Sequence, residues 1–307
     1  MNKNNFLIWF FASLIIILPS CAPADESATK GNFAIAVDES FTPLLGLEQE
    51  AFSYSYPKVK IDLVSTSEGK SIGLLLEDSV RMIVISRELD TTEKQILGRS
   101  KIKYRSTKIA IDGVALIVNK DNPDSLITNG ILKNIFTGKI KTWNDLNSLG
   151  MRDSIIVVFD KGNSSNLSFL NLKLGLSKEE IKIFAAKSNV GVIEYVKNHK
   201  GALGIIGLGW ISDKDSPLSM ELKNNIKLMW VAGDSNDDTL EYYLPTQSDL
   251  AKKTYPFIRE MICISREPGT GPATGFMNYM KSDIGQRIVL KSGLLPTIMP
   301  PRRIKLK

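Results

Sequence analysis

The sequence predicts an α/β protein built on mainly parallel sheets. Short apolar runs alternate with segments of helical spacing along almost the whole chain, such as NFAIAV before LLGLEQEAFSYSY and RMIVIS before LDTTEKQILGRS. Strands that alternate with helices in this way pair in parallel and carry the helices on their faces. From Phe33 onward the chain is long enough for two domains of ordinary size.

Residues 1–20 have the features of a secretory signal peptide. The polar leader MNKNN precedes the apolar stretch FLIWFFASLIIIL, which is too short to cross a bilayer of about 30 Å as a helix. The LPSC that follows resembles a bacterial lipobox and predicts cleavage before Cys21, with palmitate-type acylation of that residue. Several acyl chains on one cysteine anchor a protein stably to a membrane. Pro19 departs from the commonest lipobox pattern, and a plain signal anchor is the alternative.

Residues 21–32 and the overall charge indicate where the mature protein resides and what it can bind. Residues 21–32 are small, polar and without periodicity, which predicts a flexible tether. The net charge is +6 at neutral pH. A basic excess suits nucleic acid, a membrane surface or small anions, and export argues against nucleic acid. We therefore expect a protein of the bacterial cell envelope, on the periplasmic face, that contacts the membrane through its lipid alone.

The reactive side chains do not indicate an enzyme. His199 is the only histidine, and Cys263, the only cysteine besides Cys21, lies in an apolar strand, so neither has an obvious catalytic partner. The sequence contains no cluster with the spacing of metal ligands, and neither a metal nor another cofactor is expected. A serine–lysine pair, Ser164 with Lys161, is the enzymatic alternative that remains open.

One loop raises a sharper question. After the apolar run SIIVVF come seven small or polar residues, DKGNSSN at positions 160–166, and then a segment of helical spacing. Gly, Asn and Ser are typical of turns and helix caps, which is one interpretation. The other is an anion site, because free backbone N–H groups and the positive end of a helix dipole converge where a helix follows a strand.

Several segments together resemble the phosphate-binding family of ABC-transporter substrate-binding proteins. These proteins have the two-lobed type II periplasmic binding protein fold. The longest match is IAIDGVALIVNKDNPDSLITNGILKNIFTGKIKTWNDL, in which a strand crosses to the second lobe and a GK-x-x-x-W turn follows. The others are ISRELDTTEK, VFDKGNSSNLSF, GALGIIGLGWIS and GQRIVLKSGLLPTIMPPRRIKL. Their order and spacing agree with the family from about residue 33 to the C-terminus.

The resemblance implies a division into lobes and a function. Residues 33–113 and 258–307 would form the first lobe and residues 114–257 the second, with chain crossings near residue 113 and near Pro256. A monomer would capture inorganic phosphate in the cleft between the lobes and pass it to the permease and ATPase subunits of an ABC importer. Two alternatives remain, namely another oxyanion (sulfate, molybdate or a phosphonate) and a tethered phosphate sensor or surface interaction protein without a transport role.

The resemblance also implies which residues bind the ligand. Oxyanions lose strong hydration on binding, so their site needs many preorganised donors. The planar guanidinium group of Arg87 would donate hydrogen bonds to two ligand oxygens. The implied residues are Ser40, Phe41, Ser67, Ser86 and Arg87 from loops of the first lobe, and Asn163, Ser164 and Ser165 from the second. A helix cap for Ser86 and a surface ion pair for Arg87 are the structural alternatives.

Two departures from the family bear on that assignment. Phe159 falls where the family has an arginine ahead of its second-lobe loop, which leaves Arg87 or Lys161 as the replacement cation. The acid that accepts the proton of hydrogen phosphate in some members is also not evident. A carboxylate in that role repels fully ionised sulfate. The candidates for this acid are Glu39, Glu68 and Glu88.

Overall fold

The computed structural model describes residues 26–146, 153–161, 163–177, 184–233 and 240–301. The predicted signal peptide and Cys21 lie outside these ranges. Within them, no helix is both long and apolar enough to cross a membrane.

The described residues form twelve strands and ten α-helices. The strands are β1 (Gly31–Asp38), β2 (Val59–Thr66), β3 (Met82–Ile85), β4 (Arg105–Asn119), β5 (Leu126–Thr128), β6 (Ile156–Phe159), β7 (Phe184–Ala185), β8 (Ala202–Gly207), β9 (Ile226–Leu228), β10 (Trp230–Ala232), β11 (Ile258–Ser265) and β12 (Leu295–Pro296). The helices are α1 (Thr42–Ser55), α2 (Glu68–Leu76), α3 (Thr91–Arg99), α4 (Asn129–Phe136), α5 (Ser165–Leu174), α6 (Asn189–Asn198), α7 (Pro217–Asn224), α8 (Gln247–Lys252), α9 (Pro272–Lys281) and α10 (Asp283–Lys291). Strands and helices thus alternate through most of the chain, as the sequence predicts.

The strands form one long mixed sheet in the order β2-β1-β3-β11-β4-β8-β6-β7, with β9 and β12 also on β4 and a separate pair, β5 with β10. All pairings of β4 and β11 are antiparallel, whereas those among the other strands are parallel. The sheet is therefore less uniformly parallel than the sequence predicts. The reason is that β4 and β11 lie side by side and run in opposite directions.

Strand β4 joins the two halves of this sheet. Its residues up to Gly113 pair with β11, whereas those from Val114 onward pair with β8. Tyr255, which immediately precedes Pro256 at the second predicted crossing, donates its buried hydroxyl to the carbonyl of Val114 at 2.7 Å. This change of partner supports the lobe boundary that we propose near residue 113.

The folded part of the chain begins earlier than the sequence predicts. Glu26 forms an ion pair with Arg81 at 2.6 Å, and Ser27 pairs with Lys30 in an isolated antiparallel bridge. Gly31 is already the first residue of β1, since its N–H donates to the carbonyl of Lys58 at 3.1 Å. Residues 26–32 of the predicted tether are therefore part of the fold, because residues 31 and 32 pair with β2 and Glu26 is held by Arg81.

Helix α1 buries a carboxyl group in the core of the first lobe. Glu48 is only 1 % exposed. It shares the buried face of the helix with apolar side chains, those of Leu44, Leu45 and Phe52. Neither carboxyl oxygen has a hydrogen-bond partner among the described residues. Burial raises the pKa of Glu48 to about 8. The side chain is consequently held in its protonated form at neutral pH.

We predict that Glu48 makes the protein less stable as the pH rises. The unfolded chain releases this proton near the ordinary glutamate pKa of 4.5, whereas the folded protein retains it up to about pH 8. Because the folded state binds more protons in this window, its free energy of unfolding falls as the pH rises. Urea denaturation should show Glu48→Gln to be more stable than the unmodified protein at about pH 8.5, by about 1–3 kcal/mol.

The matched control is Glu50→Gln, which removes an exposed carboxylate from the same helix. Its effect should be small and equal at both ends of the pH window. A Glu48→Gln effect that is the same at about pH 5 and about pH 8.5 would contradict a buried, protonated carboxyl.

Candidate ligand site between the two lobes

The first-lobe part of the site is the turn that follows β1. Asp38 ends the strand, and its Oδ1 accepts a hydrogen bond from the backbone N–H of Ser40 at 3.1 Å. Ser40 and Phe41 are both buried, and the Oγ of Ser40 has no hydrogen-bond partner among the residues described. The turn thus presents a buried hydroxyl whose hydrogen-bonding capacity is unused.

The second-lobe part is the loop between β6 and α5. Ser164 caps the helix, with its Oγ accepting from the N–H of Leu167 at 3.2 Å. Ser165 reaches across the cleft and donates its Oγ–H to Asp38 Oδ1 at 2.8 Å. Asn163 also crosses the cleft, since its Nδ2 donates to the Oγ of Ser67 at 3.1 Å. The loop is therefore both a helix cap and a meeting point of the lobes, and six of the eight predicted ligand residues lie around it.

The cation of the site is Arg259, which sequence reasoning missed. It lies on β11 directly opposite Asp112 on β4, and its Nε and Nη2 lie 2.9 and 2.8 Å from Asp112 Oδ2. Its Nη1 donates to the Oγ of Ser165 at 3.0 Å. The guanidinium carbon is 4.6 Å from the ring centroid of Phe41, a cation–π arrangement. The side chain is only 1 % exposed, so this positive charge is fully desolvated.

Arg87 is engaged elsewhere, which corrects the prediction that its fork holds ligand oxygens. Nη1 and Nη2 each lie 2.8 Å from a carboxylate oxygen of Glu93, and Nε is 3.2 Å from Glu68. The hydrogen bonds to Glu93 raise the pKa of Arg87 further above its usual value. Glu93 also completes the capping box of α3 with Asp90. The alternative of a surface ion pair therefore describes Arg87, and we assign the cation of the site to Arg259.

Ser86 is also engaged by a carboxylate, that of Glu68. Its N–H and its Oγ both donate to Glu68 Oε2, at 2.9 and 2.5 Å. It therefore holds Glu68, which in turn contacts Arg87. Lys161, the other replacement cation that the sequence suggests, has no side-chain hydrogen bond or ion pair with any described residue.

Carboxyl groups outnumber cations around Arg259. Glu39 accepts hydrogen bonds from the backbone N–H and the side-chain Nδ2 of Asn189, the first of these at 3.2 Å. Burial, followed by the nearby Asp160, raises the pKa of Glu39 to about 7 despite these donors. Burial also raises the pKa of Asp160 to about 6. Two acids of the site therefore change protonation state near neutral pH.

A close approach of the two lobes occurs at Gly207, the last residue of β8. Its N–H donates to Asn189 Oδ1 at 2.9 Å. A Cβ at this position would lie 3.0 Å from the Cβ and the carbonyl oxygen of Ser40, and 3.1 Å from Arg259 Nη2. Only glycine allows the strand to come this near without displacement.

The comparisons with known proteins agree with this architecture. A model of the PBP superfamily domain matches residues 22–283. The chain belongs to this superfamily. The fold class predicted from the sequence, a two-lobed α/β binding protein, is thereby confirmed.

Individual members of the superfamily show the same extent of similarity. The phosphate-binding protein PstS of Bacillus subtilis is 25% identical over 313 residues, which cover 96% of this chain and 95% of that protein. The protein of the same name from Staphylococcus aureus (strain USA300) is 26% identical over 274 residues, covering 87% of this chain and 79% of that protein. The match is therefore to nearly whole chains and not to one shared segment.

Two solved structures are similar to this chain in three dimensions. A putative phosphate ABC transporter substrate-binding protein from Clostridium perfringens, with bound phosphate, superimposes with a TM-score of 0.73 at 25% identity and covers 87% of this chain and 100% of that one. An ABC-type phosphate transport receptor from Vibrio cholerae gives a TM-score of 0.63 at 20% identity over 87% of this chain and 100% of that one, which shows the shared fold.

We predict that Gly207→Ala destabilises the arrangement in which the lobes touch. The added methyl group would press on Ser40 and on the guanidinium of Arg259. Overpacking of this kind costs about 1–3 kcal/mol, measurable by urea denaturation. Gly209→Ala is the matched control, because its Cβ would find no atom closer than 3.8 Å. Equal stability of the two variants would contradict the close approach at Gly207.

Proposed function

We propose that the protein captures inorganic phosphate between its lobes and delivers it to an ABC importer. One observation carries this proposal. Among the described residues, the buried Oγ of Ser40 has no hydrogen-bond partner, and the buried Nη2 of Arg259 contacts Asp112 at 2.8 Å as an ion pair without hydrogen-bond geometry. The backbone of Gly207 lies close to both side chains. Buried donors are rarely left unpaired in proteins. An oxyanion that accepts hydrogen bonds from both would satisfy them.

The surroundings of Arg259 suit a tetrahedral anion. Asp112 fixes the guanidinium plane, so little rotamer freedom is lost when the fork binds oxygen atoms. The hydroxyl of Ser165 already contacts Nη1 and can turn toward a ligand. The amino end of α5 adds backbone N–H groups and the positive end of a helix dipole. In this dry site each charge-assisted hydrogen bond is strong.

Among the three acids that the sequence suggests for accepting a ligand proton, Glu39 fits best. Glu68 is occupied by Ser86 and Arg87, as described above. Glu88 accepts a hydrogen bond from Ser106 at 2.7 Å and is exposed. Glu39 is buried near Asp160 in the part of the site that both lobes build. A carboxylate there would accept the proton of hydrogen phosphate and repel sulfate, which has none.

Hinge closure is the mechanism that we propose for capture. The contacts of Ser165 with Asp38, of Asn163 with Ser67 and of Asn189 with Glu39 all join the first lobe to the second. They form only when the lobes are together. A ligand that also touches both lobes binds this form better and shifts the population toward it.

The wider biological setting follows from the relatives and from the leader sequence. Relatives named phosphate-binding proteins, and a phosphate ABC transporter substrate-binding protein of the same fold, support delivery to permease and ATPase subunits. We propose a monomeric binding protein, not an enzyme, that is acylated at Cys21 and stays in the cell envelope. No group of three or more potential metal ligands lies among the described residues.

We predict that Arg259→Lys weakens phosphate binding at least about ten-fold, or about 1.4 kcal/mol, because an ammonium cannot hold two oxygens in one plane. Titration calorimetry with inorganic phosphate measures this. Arg87→Lys is the matched control and should change the dissociation constant less than about two-fold, since Arg87 contacts carboxylates instead. The reverse pattern would place the anion at Arg87.

We predict that phosphate affinity falls as the pH rises from about 6 to about 8.5. Glu39 and Asp160, whose pKa values are about 7 and about 6, together lose two protons in this range. The single proton of hydrogen phosphate can be donated to Glu39 alone, so the charge on Asp160 remains uncompensated beside the anion. Glu39→Gln should flatten the profile and admit sulfate, whereas Glu88→Gln should do neither. Thermal-shift measurements with phosphate, arsenate, sulfate, molybdate and phosphonates at two pH values test this. A sulfate shift in the unmodified protein would favour the other-oxyanion alternative.

A further inference from the structure

The end of the first lobe that lies opposite the ligand site is basic. Strands β1, β3 and β4 run in one direction, while β11 is antiparallel to β3 and β4. The first residues of β1, β3 and β4 and the last residues of β11 therefore lie at the same end of the sheet. Five strands of this half of the sheet have a cation at that end or next to it, namely Lys30 (β1), Lys58 (β2), Arg81 (β3), Arg105 (β4) and Arg266 (β11).

A surface groove of about 730 Å³ lies at this basic end. Five of its lining residues are cations, Arg81, Lys101, Lys103, Arg105 and Arg266. Its acids are fewer: Glu267 faces Arg81 at 3.5 Å, and Asp78 faces Arg266 at 3.2 Å. The groove therefore carries more positive than negative charge.

The two lysines of the groove are not used by the fold. Lys101 and Lys103 are exposed, and neither side chain has a hydrogen bond or ion pair with another described residue. An exposed cation without a partner retains its full attraction for an anionic surface. The unpaired charge thus points outward at the end of the molecule.

The first described residue, Glu26, lies at the same place. Glu26 contacts Arg81, which lines the groove. Cys21 precedes Glu26 by only five residues in the sequence. Because a residue spans at most about 3.3–3.6 Å, a lipid on Cys21 would keep the groove within about 18 Å of the membrane.

We propose that this basic end rests on anionic lipid headgroups of the membrane in which Cys21 is anchored. The inference rests on the acylation proposed above. Acyl chains and a basic patch act together, because the tether supplies a high local concentration and the headgroups supply the negative potential. The ligand site at the other end of β1 and β3 is then held away from the headgroups and open to solvent.

The sequence contains an internal control for a test of this orientation. The tripeptide KIK occurs at residues 101–103 in the basic groove and again at residues 139–141 in the second lobe. All four lysines are exposed. Any difference in their reactivity on a membrane therefore reflects position and not local sequence.

The experiment is lysine footprinting of the acylated full chain in vesicles. Flotation first establishes anchoring to vesicles of phosphatidylcholine alone and of phosphatidylcholine with phosphatidylglycerol. Acetylation by a water-soluble reagent is then followed by mass spectrometry. We expect Lys101 and Lys103 to react at least about five-fold more slowly on the anionic vesicles, and to recover at about 0.5 M salt. Lys139 and Lys141 should react equally on both.

The outcomes distinguish contact with anionic lipids from a small-anion site and from the absence of a lipid anchor. Equal rates at 101 and 103 on the two vesicle types, or equal protection of both tripeptides, would overturn it. Protection by inorganic phosphate without vesicles would identify a small-anion site instead. Failure to float would remove the anchor and this inference together, whereas phosphate titration of the same preparation tests the proposed function independently.

Charge-reversed variants give a second measurement. The double variant Lys101→Glu and Lys103→Glu should lose the difference between anionic and neutral vesicles, read out by the footprint of Lys58 at the same end of the sheet. The matched variant Lys139→Glu and Lys141→Glu should keep it. Loss of the difference in both variants would also overturn the proposed orientation.

Discussion

The site depends on one buried ion pair, Arg259 with Asp112. The two residues lie opposite each other on β11 and β4, next to the point where β4 changes partner from β11 to β8. A buried charge is strongly destabilising without its partner, so the register of these two strands and the cation hold each other in place. Through Nη1 the pair reaches Ser165, which belongs to the other lobe. The crossing strands, and not the loops, therefore set the position of the positive charge.

The excess of carboxyl groups explains why protons matter to this site. Asp112 already balances Arg259, and Asp38 accepts hydrogen bonds from both lobes. Glu39 and Asp160 are added to them in a nearly dry space, where ionised neighbours repel each other strongly. A fully ionised ligand would face this repulsion without compensation. A ligand that carries a proton can instead donate it to one of these acids, which converts repulsion into a hydrogen bond.

The sequence predicted what depends on local pattern and missed what depends on register. Alternating strands and helices gave the fold class, and the polar loops after β1 and β6 gave the turn at Ser40 and the loop at Ser165. Arg259 sits in the apolar run PFIREMICIS, and its partner Asp112 is 147 residues away, so no local pattern relates them. Arg87 lies in a loop of the first lobe, as the sequence predicts, but Glu93 in α3 binds its guanidinium group. Glu93 thus shows that a nearby carboxylate can decide which cation is free.

The direction of the strands in the first lobe gives its two ends opposite electrostatic roles. At the carboxyl ends of β1 and β3, one desolvated guanidinium acts with backbone amides and is little affected by salt, as a specific ligand site requires. At the amino ends, several exposed cations act together in water, where salt screens them and no single partner is selected. Such a surface suits an extended anionic membrane better than a single small anion. The same sheet can therefore keep capture of a ligand separate from attachment to a charged surface.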